Sequence, residues 1–157
     1  MTKIQALVVS AAMAIGMAAP ALAAQADPEV LIYRFPGVRE TGGAEFSGTA
    51  TVFHCTNFSG ATETIRFVTR RSDGVLAQNN TIPINHLATV TATTNNTLAY
   101  FESIFLGTGS IAQGTTAIAA TSINIICTAE TIDASATTPI GVARRGIRFN
   151  PVPGSQE

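Results

Sequence analysis

Apolar and polar residues alternate along much of this chain at a period of two, and this pattern predicts an all-β protein. The clearest run covers residues 62–70, where Ile65 and Phe67 alternate with Arg66 and other polar side chains. Successive side chains of a strand point to opposite faces of its sheet, so each such run has an inward and an outward row. No stretch after residue 26 shows the spacing of an amphipathic helix.

Turn-forming residues divide the chain into short strands. Pro36 and Gly37 are expected to end the first strand, and residues 57–60 to join the second and third as a hairpin. Pro83 is expected to place its strand at a sheet edge or in a bulge. About seven to nine strands at regular spacing predict an antiparallel β-sandwich. The predicted strands cover residues 27–35, 46–57, 62–70, 75–84, 87–94, 98–106, 115–121, 123–132 and 140–149.

The two cysteines, Cys55 and Cys127, lie on apolar inward rows of two predicted strands. Cys55 shares its row with Phe53, and Cys127 shares its row with Ile125. We expect an inter-sheet disulfide that closes a loop of 127 − 55 = 72 residues. In the chain-entropy model such a loop contributes about 4 kcal/mol. The alternative is two free thiols acting as small buried hydrophobes.

The start of the chain has the pattern of an export signal. Lys3 precedes an apolar run over residues 4–19, and Pro20 ends that run. Small residues follow at the spacing that signal peptidase requires, so cleavage is expected after Ala23 or Ala26. The run is short for a membrane span, which makes an uncleaved anchor the weaker alternative.

This pattern predicts a signal peptide over residues 1–26, a single β-sandwich domain over residues 27–150 and a frayed tail over residues 151–157. The mature protein is expected in the periplasm or outside the cell, where disulfides persist. No later apolar run is long enough to span a bilayer, so no membrane span is expected after removal of the signal.

The charge balance argues against a nucleic-acid partner. From Asp27 onward the chain has eight Arg, no Lys and ten acidic residues, a net charge of 8 − 10 = −2. That balance gives no overall attraction to nucleic acid or to acidic membranes. The low charged fraction, with abundant Thr, Ala, Gly and Asn, is typical of a secreted β protein.

Residues for catalysis or metal binding are sparse. The histidines, His54 and His86, are fewer than the three or more ligands of a catalytic zinc or copper site. Residues 107–110 lack the Gly-Lys-Ser/Thr that completes a phosphate loop, and no G-x-S-x-G motif is present. We expect no metal, no cofactor and no enzymatic activity. Three carboxylates lie on predicted strands without a sign of a shared cleft: Glu63, Glu102 and Glu130.

Two groups of arginines predict a local anion-binding patch. Arg66 and Arg70 lie on one outward row, and Arg144, Arg145 and Arg148 lie in the tail. If the tail ran beside the strand of Arg66, five guanidiniums would gather on one surface. Arginine binds carboxylate and phosphate bidentately, so the partner would be an anionic envelope component or an acidic protein. The alternative is ordinary solvated surface charge.

The order of strands around the cysteines resembles an immunoglobulin-like sandwich over residues 46–133. In such domains a disulfide often bridges an early and a late strand. The segments FHCTN and RFNPVPG also resemble parts of small exported bacterial proteins without assigned function. These resemblances imply a two-sheet architecture. With the composition, they predict an exported, non-catalytic binding or structural module of the envelope or exterior. The alternatives are a pilus- or adhesin-type surface-assembly subunit and a small secreted hydrolase.

Overall fold

The computed structural model describes residues 29–149, and these residues confirm the all-β prediction. The predicted signal peptide and residues 151–157 lie outside this range. The described residues include no helix, and hence none long and apolar enough to cross a membrane. The strands are β1 Val30–Glu40, β2 Thr49–Asn57, β3 Glu63–Arg71, β4 Leu76–Ile84, β5 Thr89–Thr93, β6 Ile104–Phe105, β7 Ile111–Ala120, β8 Ile125–Asp133, β9 Gly141–Arg144 and β10 Ile147–Arg148.

All ten strands belong to one hydrogen-bonded network that curls into a nearly closed sheet around one core. The main order is β4-β3-β7-β1-β2-β5-β6, with β10 paired to β1 and β8 paired to both β2 and β9. Strand β1 pairs with β7 along most of its length and with β2 only at its end, where Glu40 lies opposite Ala50. This strand therefore connects the two halves of the sheet.

Pro36 and Gly37 do not end the first strand, contrary to the sequence prediction. Strand β1 continues through them to Glu40, and its pairing with β7 shifts register between Pro36 and Val38. Gly37 has a positive φ of 75°, a conformation that is unfavourable for residues with a side chain. A bulge accommodates both residues because it locally interrupts the regular ladder.

The predicted hairpin between the second and third strands is also wrong. Strand β2 pairs with β5 and β8, whereas β3 pairs with β4 and β7. The buried Asn57 side chain redirects the chain, because its Nδ2 donates to Ala61 O at 2.7 Å and to Ile84 O at 2.9 Å. The chain therefore leaves one half of the sheet at Asn57 and enters the other.

Other predicted strands differ mainly in length. The predicted strand over residues 98–106 shrinks to β6, because much of that stretch forms a loop. Strand β7 begins at Ile111, four residues before its predicted start. The edge position expected from Pro83 is confirmed, since β3 is the only strand paired with β4 among the described residues.

The predicted disulfide forms, but it does not bridge two sheets. Cys55 lies directly opposite Cys127 in the antiparallel β2–β8 pair, so the bond joins neighbouring strands of one sheet. The predicted inward rows are confirmed, with Cys55 fully buried and Cys127 nearly so. Because Phe53 lies opposite Ala129 in the same ladder, the two inward rows coincide and bring the sulfurs together.

Candidate anion-binding groove

An open groove of about 570 Å³ lies where the end of β1 meets β2, β8 and β9. A second depression of about 290 Å³ adjoins it and shares Arg39 and Arg144. We call the larger depression the arginine groove. It contains two guanidiniums, hydroxyl groups from three residues and one carboxylate. Its lining consists of Arg39, Gly48, Thr49, Thr131, Ile132, Asp133, Ser135, Val142 and Arg144.

Arg144 is anchored by one hydrogen bond and lies against the bulge of β1. Its Nε donates to Thr131 Oγ1 at 2.6 Å across the β8–β9 pair. Its guanidinium also lies over Gly37, where a Cβ atom would come within 3.1 Å of Nη1. A guanidinium has five N–H donors, so this anchoring bond leaves further donors for a ligand. The bulge in β1 thus leaves the space that Arg144 occupies.

Arg39 has a fixed backbone and an exposed side chain. Its N–H donates to Thr51 Oγ1 at 2.9 Å, and its carbonyl accepts from the hydroxyls of Thr51 and Thr94. These bonds hold the strand while the guanidinium projects toward the groove. Because one arginine lies on β1 and the other on β9, the pair exists only in the folded protein.

Asp133 supplies a negative charge to the same groove. Ser135 donates to Asp133 Oδ1 from its N–H at 2.9 Å and from its hydroxyl at 2.7 Å. These two hydrogen bonds lower the pKa of the Asp133 carboxyl below its usual value. These bonds therefore favour the ionised form of the Asp133 carboxyl over the protonated form. The arrangement favours a ligand with an anionic group near the arginines and a donor group near Asp133.

The structure does not gather the five predicted arginines on one surface. Strand β3 lies between β4 and β7, whereas β9 pairs with β8 and β10 pairs with β1, so the tail does not run beside Arg66. Arg66 and Arg70 do face outward, as predicted. Arg66 forms an ion pair with Glu29 at 2.5 Å, and Arg70 donates to Gly74 O at 2.9 Å.

The tail arginines separate from one another. Arg148 donates to Ile123 O at 2.9 Å and lies over the ring of Tyr33, while Arg145 sits between β9 and β10. Arg144 instead lines the same groove as Arg39, a residue for which the sequence analysis predicted no role. The two arginines come together because β1 continues past Gly37 and because β9 folds back against β8. Neither of these two features is indicated by the local sequence.

A second polar cluster lies on the outward face of β2 and β8. His54 Nε2 is 3.8 Å from Glu130 Oε1, and the Tyr100 hydroxyl donates to the same carboxylate oxygen. His54 Nδ1 lies 3.1 Å from Thr91 Oγ1. The sequence predicted that His54 and Cys55 point to opposite faces of one strand. It did not indicate that the loop after β5 brings Tyr100 back over His54.

The Tyr100 phenol is expected to ionise at a higher pH than an ordinary tyrosine. Burial and then the Glu130 carboxylate raise its pKa to about 12. Because the folded pKa lies above the unfolded value of about 10, this group contributes stability below pH 10 that is lost as the pH rises toward 12. Near-ultraviolet titration can resolve this, since the chain has two tyrosines and no tryptophan.

Glu130→Gln is expected to lower the Tyr100 pKa toward its ordinary value by removing the adjacent charge. Tyr100→Phe identifies which titration step belongs to this residue, because only Tyr33 then contributes tyrosinate absorbance. If the Tyr100 pKa were the same in Glu130→Gln as in the wild type, the Glu130 carboxylate would not be a cause of its raised value.

Comparison with protein-family models, curated proteins and solved structures finds no match to this chain. Within residues 29–149, no group of three or more His, Cys, Asp or Glu side chains is placed to hold a metal ion. His86 Nδ1 accepts from the Gly60 N–H at 3.0 Å. The site must therefore be interpreted from its own chemistry, and the arginine groove is the candidate that we take further.

Proposed function

We propose that this chain is an exported, non-catalytic binding or structural module of the cell envelope or exterior, and that it binds an anionic ligand. The observation that carries this proposal is the convergence of Arg39 and Arg144 on one open groove. Two guanidiniums from separate strands, of which Arg144 is anchored by Thr131, can together bind carboxylate or phosphate. The nearby carboxylate and hydroxyls match a ligand that also carries hydrogen-bond donors.

The ligand class that fits best is an acidic, hydroxyl-bearing polymer. An anionic group would bind Arg39 and Arg144, while ligand hydroxyls would donate to Asp133 and exchange hydrogen bonds with Thr49. A groove that is open to solvent can admit one segment of a long chain. The net charge of the mature protein is about −2, so attraction of a polyanion must come from this local pair.

Export and architecture complete the proposal. The Cys55–Cys127 bond is compatible with an oxidising compartment, and the N-terminal pattern is that of a cleaved signal. We also propose that the halves β4-β3-β7-β1-β10 and β9-β8-β2-β5-β6 act as the two layers of an immunoglobulin-like sandwich. One core cluster with side chains from both halves supports this view.

Replacing both groove arginines, Arg39→Gln and Arg144→Gln, is expected to weaken binding of a polyuronate oligosaccharide by about tenfold or more. Charge-assisted hydrogen bonds are lost, and no large apolar side chain is removed. Titration calorimetry at low salt measures the effect, and wild-type affinity should fall at physiological salt because exposed charges are screened.

The matched control is the double variant Arg66→Gln and Arg70→Gln, which removes the same charge from β3. It should bind as the wild type does. Equal affinity of the wild type and the groove variant would refute the proposal that the ligand binds in the arginine groove. Selective loss in the β3 variant would place the ligand on the outward face of β3.

A surface-assembly subunit of the pilus or adhesin type is the second candidate. It is favoured by the Thr-, Ala-, Gly- and Asn-rich composition, the single disulfide and the free edge of β4. Such subunits polymerise by adding a strand to an open sheet edge. Filaments in a concentrated sample of the mature protein would favour this function over the first.

A small secreted hydrolase is the third candidate, and one geometric observation favours it. The Thr91 hydroxyl, the His54 imidazole and the Glu130 carboxylate follow one another as nucleophile, base and acid do in a triad. Tyr100, however, covers the imidazole and binds the carboxylate. Ester turnover that disappears in a folded His54→Gln variant would identify this function.

A further inference from the structure

Strand β4 is the only long free edge among the described strands. It has nine residues and pairs with β3 alone. The other strands with a free side at the ends of the network are short, since β6 and β10 have two residues each and β9 has four. Natural sheets usually protect a long edge with charges or proline. Strand β4 contains no charge, and its one proline, Pro83, is the second-last residue, so residues 77–82 remain unprotected. This edge is therefore available for pairing.

The backbone of β4 offers its hydrogen bonds outward at alternate residues. Thr64 of β3 donates to Thr121 Oγ1 and accepts from the Thr121 N–H, so its backbone groups face β7. Pro83 is the residue of β4 opposite Thr64, so the backbone groups of Pro83 point to the free edge. Backbone direction alternates along a strand, so the backbone groups of Thr81 and Asn79 point to the same edge. Pro83 therefore removes no hydrogen bond from the β3–β4 ladder.

Asn80 supplies a second, independent observation. It lies opposite the buried Phe67 and so belongs to the inward row of β4. Its side-chain Oδ1 is buried and has no hydrogen-bond partner among the described residues. An unsatisfied buried acceptor is unfavourable, so a donor brought to this edge would be stabilising.

We infer that two copies of this chain pair through β4 as antiparallel strands, with the twofold axis at Asn80. In this register Asn79 of one copy exchanges both backbone hydrogen bonds with Thr81 of the other. The Asn79 N–H first releases Gln78 Oε1, to which it donates at 3.1 Å in the single copy. The two Asn80 residues then form a non-hydrogen-bonded pair, in which facing Cα atoms lie about 4.5 Å apart. Each side-chain amide can donate to the other's Oδ1.

The absence of charge on β4 makes a second copy suitable as the partner. Antiparallel self-pairing places each residue of the strand opposite another residue of the same strand, and like charges at such positions would repel. The strand LAQNNTIPI places only polar amide, hydroxyl and apolar side chains opposite one another. A twofold contact uses the same edge on both subunits, so it closes as a dimer and leaves no β4 edge for a filament.

The experiment is sedimentation velocity of the purified mature protein over a range of concentrations. Wild type should shift from monomer to dimer, and hydrogen exchange at Asn79 and Thr81 should slow as the dimer forms. Thr81→Pro removes one outward N–H without touching the β3 ladder, and it should remain monomeric. Thr81→Ala retains that N–H and should dimerise as the wild type does.

Asn80→Asp is the second variant, chosen in case Thr81→Pro perturbs the strand. It places two carboxylates across the twofold axis, so it should be monomeric at neutral pH and regain the dimer when they are protonated. A wild type that is monomeric up to about 1 mM overturns the proposal. A dimer that persists in Thr81→Pro and in neutral Asn80→Asp does the same. Binding in the arginine groove does not depend on either result.

Discussion

Replacing Phe53 by alanine is expected to lower the free energy of unfolding by about 3–5 kcal/mol, the usual range for a buried phenylalanine. Phe53 is fully buried, and its ring contacts Phe35 at 5.6 Å and Phe67 at 5.9 Å between centroids. These three rings come from β1, β2 and β3, so the cavity would open between both halves of the sheet. Equilibrium denaturation measures the loss.

Phe101→Ala is the matched control for this substitution. Its side chain is 97% exposed, so truncation should change stability by about 0.5 kcal/mol or less. Because a domain of this size is stable by only about 5–15 kcal/mol, the loss in Phe53→Ala would be a large share of the total stability. Similar unfolding midpoints for the two variants would show that Phe53 does not hold the core together.

The double variant Cys55→Ala and Cys127→Ala is expected to be about 4 kcal/mol less stable than the oxidised wild type. The bond closes a loop with a sequence separation of 72 residues, and its loss frees the unfolded chain. Since the cysteines face each other in a ladder of nine residue pairs, the variant should keep its strand content. Denaturant unfolding gives the stability, and circular dichroism gives the strand content.

Reduced wild type is the natural control, because it removes the cross-link without changing a side chain. It should unfold at nearly the same denaturant concentration as the double variant. Thiol alkylation of the denatured, unreduced protein should label neither cysteine. Full labelling of both would show that the bond is absent from the purified protein.

Much of the fold follows from local alternation, and the errors arise where distant segments meet. The inward row of Phe53 and Cys55 could be predicted because a period of two specifies the faces of a strand. Which strand lies beside which could not, because pairing depends on buried contacts such as the Asn57 side chain. The disulfide was therefore predicted correctly as a pair of cysteines and wrongly as a link between sheets.

The candidate site illustrates the same limit. Arg144 could be identified as an isolated cation of interest, but Arg39 carried no signal in a strand that was expected to end before it. Sequence proximity grouped Arg66 with Arg70 correctly, since both belong to one outward row. It could not predict that the bulged β1 would leave space for a guanidinium from β9.

If the protein is exported as we propose, the pairing of β1 has a consequence for how it folds. Val30 pairs with Ala120 and Cys55 with Cys127, so β1 and β2 pair with strands β7 and β8 that lie late in the sequence. A chain that emerges N-terminus first would expose β1 and β2 until most of the domain has crossed the membrane. Folding dominated by such distant contacts is slow. A one-residue slip of β8 would also turn its cysteine to the wrong face, so oxidation in the native register selects correctly paired chains during that delay.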